Sequence, residues 1–97
     1  MKIDHLNKAF ESRVRLGIMA LLMVEDSVDY NSLKEALDLT DGNLASHIKA
    51  LEKEEYITVQ KSFFGKKPHT RYQVTPSGKI DFEQHLKALE QFIKQIK

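Results

Sequence analysis

Cysteine is absent from the 97-residue chain. That excludes disulfides, zinc–thiolate sites and thiol catalysis, and it suits a reducing cytoplasm. Long apolar runs are missing as well. The longest, Ile18 to Val24, is seven residues, far short of the roughly 20 that a membrane-spanning helix needs. The first residues carry Asp4 and Glu11 and offer no secretory-signal pattern. There is no internal repeat and no low-complexity tract. Signatures of catalysis are equally scarce: no phosphate-cradling glycine loop, no HExxH, no GxSxG, and no triad spacing among Ser12, Ser46 and the four histidines. Neither an enzymatic activity nor a cofactor is therefore expected.

One further absence is local. No acidic residue lies between Glu55 and Asp81, whereas Lys61, Lys66, Lys67, Arg71 and Lys79 all do. The other ten basic residues face all fourteen acids, a balance of −4. One segment is thus cationic on an otherwise acidic chain, and a polyanionic partner is the simplest reason for it. The length suits a single domain over residues 1–97 with a modest core.

Taken in order, Ile3, Leu6 and Phe10 fall at helical spacing and predict a short first helix. Ser12 can cap a second, with Val14, Ile18, Leu21 and Leu22 on its buried side and Leu16, Met19 and Met23 widening the stripe. Gly17, costly inside a helix, would be explained by close approach of another backbone. Val28 to Tyr30 reads as an edge strand. Asn31 is the expected N-cap of the next helix, whose apolar face is Leu33, Ala36 and Leu37. About three residues separate it from a helix over 41–54 capped by Thr40, the connection length of a helix-turn-helix. From Ile57 the period becomes two. Ile57, Val59 and Phe63 alternate with Thr58, Gln60 and Ser62, interrupted at Lys61. The stretch from Phe64 to His69 holds a turn, and Tyr72 and Val74 resume the alternation, giving a β-hairpin over 57–74. Thr75-Pro76 starts a last helix over 76–96. Phe82, Leu86, Leu89, Ile93 and Ile96 form a heptad seam there, which Ile80 and Phe92 enlarge. The fold class is mainly α with a small hairpin.

The helix over 41–54 is the informative stretch. Leu44, Ile48 and Leu51 make one apolar stripe. Gly42, Ser46, Lys49 and Lys53 project opposite it, with Asn43 and Ala50 beside them. Such a small, polar, basic face suits a helix that enters the major groove: Ser and Asn reach base edges and Lys meets phosphate.

Several segments together resemble a known family. They are Ser12-Arg13-Val14-Arg15-Leu16, Leu39-Thr40-Asp41-Gly42-Asn43-Leu44, Ser46-His47-Ile48, Tyr56-Ile57, Lys61-Ser62-Phe63, Gly65-Lys66-Lys67-Pro68 and Thr70-Arg71-Tyr72. Over roughly residues 10–90 the chain is similar to small prokaryotic winged-helix transcription regulators related to the MarR and ArsR groups. The resemblance implies a homodimer on a pseudo-palindromic operator in double-stranded DNA, acting as a repressor. The helix over 41–54 would lie in the major groove and the hairpin, or wing, on backbone or minor groove. The residues themselves give Asn43, Ser46 and Lys49 as expected groove contacts, Thr40 and Lys53 as phosphate contacts, and Lys66 and Lys67 as wing-tip phosphate contacts with His69 and Arg71 supporting; His47 is equally a DNA contact or a partly buried packing histidine. Terminal helices would build the dimer through Leu6, Phe10, Phe82, Leu86, Leu89, Phe92, Ile93 and Ile96, the alternative being that the last helix packs on the first within one subunit. Asp41 is expected to serve the helix dipole rather than DNA. Two departures stand out: Glu55, where relatives often carry the glycine of a left-handed helix cap, and Gly17, where many carry a larger residue.

Two alternatives remain open at this point. One is a winged helix that binds another protein. The other is a sensor gated by a ligand or metal at the terminal helices, since a small-molecule effector would have only the dimer interface or the cleft beside those helices. His5 and His85, with Asp81 one turn before His85, are the only hint of a metal. Two scattered histidines without a second ligand pair are usually surface residues, so no metal is assigned.

Overall fold

The computed structural model describes residues 6–96. After a 3-10 turn at Lys8–Phe10 come α1 (Arg13–Val24), β1 (Val28–Asp29), α2 (Tyr30–Ala36), α3 (Asp41–Lys53), β2 (Ile57–Phe64), β3 (Lys67–Val74) and α4 (Pro76–Ile96). Three antiparallel strands in the order β1-β3-β2 lie against the helices. This is the order expected from the sequence. Of the predicted first helix over 3–10, the described residues form only a 3-10 turn at Lys8–Phe10, capped by Asn7 in extended backbone.

Capping residues set most of the boundaries. Ser12 and Thr40 sit in extended backbone and accept the backbone N–H three residues on, from Arg15 and Asn43 respectively, each at 3.3 Å. Thr75 Oγ1 accepts the Gly78 N–H at 2.9 Å, with Pro76 at the first helical position of α4. The cap of α2 is Asp29, not the expected Asn31. β1 ends at Asp29, so its carboxylate is already extended and accepts the Ser32 N–H at 3.3 Å. The Ser32 hydrogen bonds hold the Asp29 pKa below its ordinary value. Tyr30 accordingly starts the helix rather than ending the strand.

Two helices end on left-handed residues that are not glycine. Glu55 has φ 62° and Asp38 has φ 52°. At each, paired bonds complete a Schellman motif. They are Tyr56 N to Leu51 O (3.0 Å) with Glu55 N to Glu52 O (2.9 Å), and Leu39 N to Lys34 O (3.0 Å) with Asp38 N to Glu35 O (3.2 Å). Glu55 thus makes the left-handed turn that glycine most often serves, and α3 passes straight into β2.

The core is built around Phe10, Ile18, Met19, Leu33, Leu44 and Leu51, each fully buried. Burial of each such large side chain contributes roughly 1.5–3 kcal/mol. Phe10 lies at its centre, 5.0 Å from the Tyr56 ring and edge-on to Phe82 at 5.2 Å. His85, expected at the surface, is buried. Its Nδ1 accepts the Asn7 N–H at 2.9 Å while its ring packs on Phe10. Burial pushes its pKa down, in keeping with a neutral, accepting imidazole. Asn7 also donates to the Tyr56 hydroxyl (2.9 Å), which donates to Asp81 (2.8 Å). His5 lies outside the described residues, and the described residues hold no cluster of three His, Cys, Asp or Glu placed to bind a metal.

Other expectations need correction. A Cβ on Gly17 would stand 2.7 Å from the Leu37 side chain, so its close neighbour is a side chain and not a backbone. Ala36 is exposed, and α2 turns only Leu33 fully into the core. Phe63, read as part of the apolar phase of β2, is 70% exposed. Phe10 and Phe82 are consumed by the protomer's own core, which removes both from any contact between subunits. The rest of the α4 seam behaves differently. At about 1.5 Å per residue α4 spans some 31 Å, longer than the 26 and 21 Å minor dimensions of the molecule. Beyond His85 none of its described residues is buried.

Candidate nucleic-acid interface

α3 is held by its apolar stripe: Leu44, Ile48 and Leu51 are buried against the rest of the core. That fixes the opposite face. Gly42, Asn43, Ser46, Lys49 and Lys53 are all exposed, as the spacing predicts. Ser46 Oγ donates to the Asn43 carbonyl at 3.1 Å, which leaves its lone pairs facing outward. A Cβ on Gly42 would meet nothing within 4 Å, so the helix surface is low there. The Asp41 carboxylate is in the first turn of α3, where the helix dipole favours it, and pairs with Lys34 at 3.0 Å. Tyr30 donates to the Asp41 carbonyl at 3.1 Å, joining α2 to the start of α3. Thr40 is exposed, but its hydroxyl is engaged in the cap.

His47 belongs to a different surface. Its Nδ1 accepts the Arg15 Nε–H at 3.0 Å, and burial, then the Arg15 charge, lower its pKa. Sharing a hydrogen bond with α1, it docks α3 there.

The hairpin pairs in unbroken register from Ile57–Val74 to Phe64–Lys67. Gly65 at φ 64° and Lys66 form a two-residue turn. Only the first central residue has positive φ, as in a type II′ turn. Pro68 stands opposite Phe63, one pair beyond the turn. Antiparallel pairs alternate between bonded and non-bonded, so the proline costs the ladder nothing there.

Four wing residues expected on DNA divide into two pairs. Lys66 and Lys67 are exposed at the tip. The ion pairs among the described residues are Lys34–Asp41 and Lys94–Glu90; neither tip lysine, nor Lys49, Lys53 or Lys61, has a carboxylate partner. Arg71 instead turns back to the α1–β1 connection. Its Nε donates to Ser27 Oγ at 2.7 Å and its Nη2 to the Ser27 carbonyl at 3.0 Å. His69 packs on Phe64 with ring centres 4.7 Å apart and lies 3.4 Å from Arg71 Nη1. These two brace the wing, while the lysines are available to a ligand. Lys61, exposed and unpaired, and the exposed Phe63 and Phe64 were not among the expected site residues. The sequence signals for them are the place of Lys61 in the acid-free cationic segment and the break in alternation there.

An exposed polar helix face and a cationic ribbon continuous with it form a surface suited to a duplex. Comparison with known proteins agrees with that geometry. Residues 14–93 match the family model described as a winged helix DNA-binding domain. An uncharacterized protein from Methanocaldococcus jannaschii is 37% identical over 89 residues, 92% of this chain and 97% of that protein. The structure of a transcriptional regulator homologue from Pyrococcus horikoshii OT3 superposes with TM-score 0.84 at 30% identity, covering 92% of this chain and 88% of the other. PadR from Bacillus subtilis, solved in complex with operator DNA, shares the fold at TM-score 0.67. It is 19% identical, over 77% of this chain and 48% of its own. Sequence, architecture and kinship converge: this chain belongs to the winged-helix DNA-binding domain family, among the winged-helix transcriptional regulators.

Proposed function

We propose that this chain is a sequence-specific regulator of transcription that binds double-stranded DNA as a homodimer in the cytoplasm and represses by occupying its operator. The observation that carries the reading is the outward face of α3. Asn43 and Ser46 are exposed there for base edges, and Lys49 and Lys53 are exposed without a carboxylate partner among the described residues. Lys66 and Lys67 add phosphate contacts from the wing, on backbone or in the minor groove.

Homodimerisation is supported by α4. Leu86, Ile93 and Ile96 are 44%, 54% and 59% exposed, and Leu89 and Phe92 are half-buried. That apolar stripe continues the heptad seam beyond the protomer core. With Leu6, also half-buried, these residues are the proposed dimer contact. A two-fold dimer would place its α3 helices about 34 Å apart, one turn of B-DNA, across a pseudo-palindrome.

The test is selection of bound fragments from genomic DNA, followed by footprinting and sedimentation of the complex. Two protomers on a two-fold site are expected. Leu86→Asp with Ile93→Asp should yield a folded monomer that binds one half-site weakly. No affinity for random duplex at low salt would instead assign the surface to a protein partner.

A further inference from the structure

The wing carries an apolar tip that neither the core nor the phosphate-contacting lysines explain. Ile57, Val59, Lys61 and Phe63 share one face of the ribbon, the face that Ile57 and Tyr72 turn into the core. Burial along it decays steeply. Ile57 is 3% exposed, Val59 is half-buried, Lys61 is exposed, and Phe63 is 70% exposed. The ribbon therefore runs out past the helices with an aromatic ring still on it. Phe64, on the other face, is laid against His69. Phe63 has only Pro68 opposite it and no aromatic neighbour among the described residues.

The surroundings say what would cover that ring. Lys61 lies two residues before Phe63 on the same face, Lys67 is opposite Phe64, and Lys66 is in the turn. None has a carboxylate partner among the described residues, and residues 56–80 contain no acid. An apolar ring with Lys61 on its own face and Lys66 and Lys67 at the adjoining tip is complementary to a polyanion that also offers apolar surface. The tip is a two-residue turn, and a minor groove roughly 6 Å wide admits a single side chain from it rather than the two-stranded ribbon. The ribbon is continuous with α3 through the bonded Leu51–Tyr56 cap, which makes the duplex read by α3 the polyanion at hand.

We propose that Phe63 is a minor-groove wedge. Its ring enters between base-pair edges beneath the wing, while Lys61, Lys66 and Lys67 hold the flanking phosphates. The inference rests on the DNA-binding reading above and adds to it a deformation of the duplex. A wedge partly unstacks one step and bends the helix, which favours flexible pyrimidine–purine steps under the wing at positions α3 never touches.

The experiment uses the full chain and a duplex recovered by the genomic selection, labelled at its ends for energy transfer and carrying 2-aminopurine at successive steps under the wing. Wild type is expected to shorten the end-to-end distance and brighten 2-aminopurine at one step. Phe63→Ala should abolish both signals and weaken binding about tenfold with an unchanged salt slope, whereas Phe63→Leu should keep most of each. Both changes are on an exposed side chain, and circular dichroism checks that the fold is kept. A Phe63→Ala protein that bends and binds like wild type overturns the wedge while leaving DNA binding standing. So does Phe63-dependent binding to phosphatidylserine–phosphatidylcholine vesicles with a bend that ignores Phe63. A wild-type protein that binds no duplex overturns the wedge and the reading beneath it together.

Discussion

Replacing Glu55 by glycine should stabilise the protein. Glu55 is held at φ 62° by the Schellman bonds that end α3, and its carbonyl accepts from Thr75 Oγ1 (2.7 Å) and Ser77 Oγ (3.1 Å). None of these bonds uses the Glu55 side chain, so glycine keeps them all. A side chain in the left-handed region costs roughly 1–2 kcal/mol. Glycine returns about 0.5–1 kcal/mol of that through the greater freedom of the unfolded chain. Removing a carboxylate from the negative end of α3 adds about 0.3 kcal/mol. The sum is a gain near 1 kcal/mol, or roughly 4–8 °C in Tm for a domain of this size. Thermal and urea unfolding should be followed by circular dichroism at fixed protomer concentration, because any dimer makes Tm depend on it. Glu55→Ala is the control, since it deletes the charge and keeps the strained Cβ. Glu55→Gly no more stable than Glu55→Ala would refute the reasoning.

Gly78 offers the opposite case. A Cβ there would stand 2.2 Å from the Tyr56 carbonyl oxygen and 2.9 Å from Val74 Cγ2, so Gly78→Ala must push α4 off the sheet junction. A loss of about 3 kcal/mol is expected in urea unfolding. Acid should also weaken the fold. His85 and His47 have pKa values lowered mainly by burial, so the unfolded chain takes up their protons first. Their contribution is complete above the unfolded value of about 6.5 and is lost as pH falls from there toward the folded values, with a slope of at most about 1.4 kcal/mol per pH unit for each. His85→Gln, which keeps an acceptor for Asn7, should flatten urea midpoints measured between pH 7 and 5. Finally, Lys66→Ala with Lys67→Ala should weaken all duplexes alike and reduce the slope of log K against log salt by about 1.8, for two phosphate contacts. An unchanged slope would take the tip lysines off the backbone.

What was legible in the sequence was local. Thr40 and Thr75 cap helices because their hydroxyls reach three residues ahead, and Leu44, Ile48 and Leu51 set the outward face of α3 through helical period alone. Where two neighbours were equally able to cap, tertiary pairing decided. Asp29 displaced Asn31 because the Asp29–Arg71 pair fixes the end of β1. Period also says which face a strand residue is on, but not how far the sheet outruns its helices; hence the exposed Phe63. His85 was unreadable for another reason: its partner Asn7 lies 78 residues away. The same holds for Arg71 and Ser27, 44 residues apart, a pairing that turns an apparent DNA contact into a brace. Among the candidate site residues, those with no partner inside the protomer were the easiest to place. Those with one required the fold.

The central claim is that the exposed face of α3 reads bases, and Asn43 tests it most directly. Binding-site selection with the wild type and Asn43→Ala, each followed by a salt titration on the selected duplex, separates reading from charge. The expected result is lost discrimination at one or two base pairs, roughly 1–3 kcal/mol for a bidentate contact, with the salt slope unchanged. An identical base preference in both proteins would contradict it.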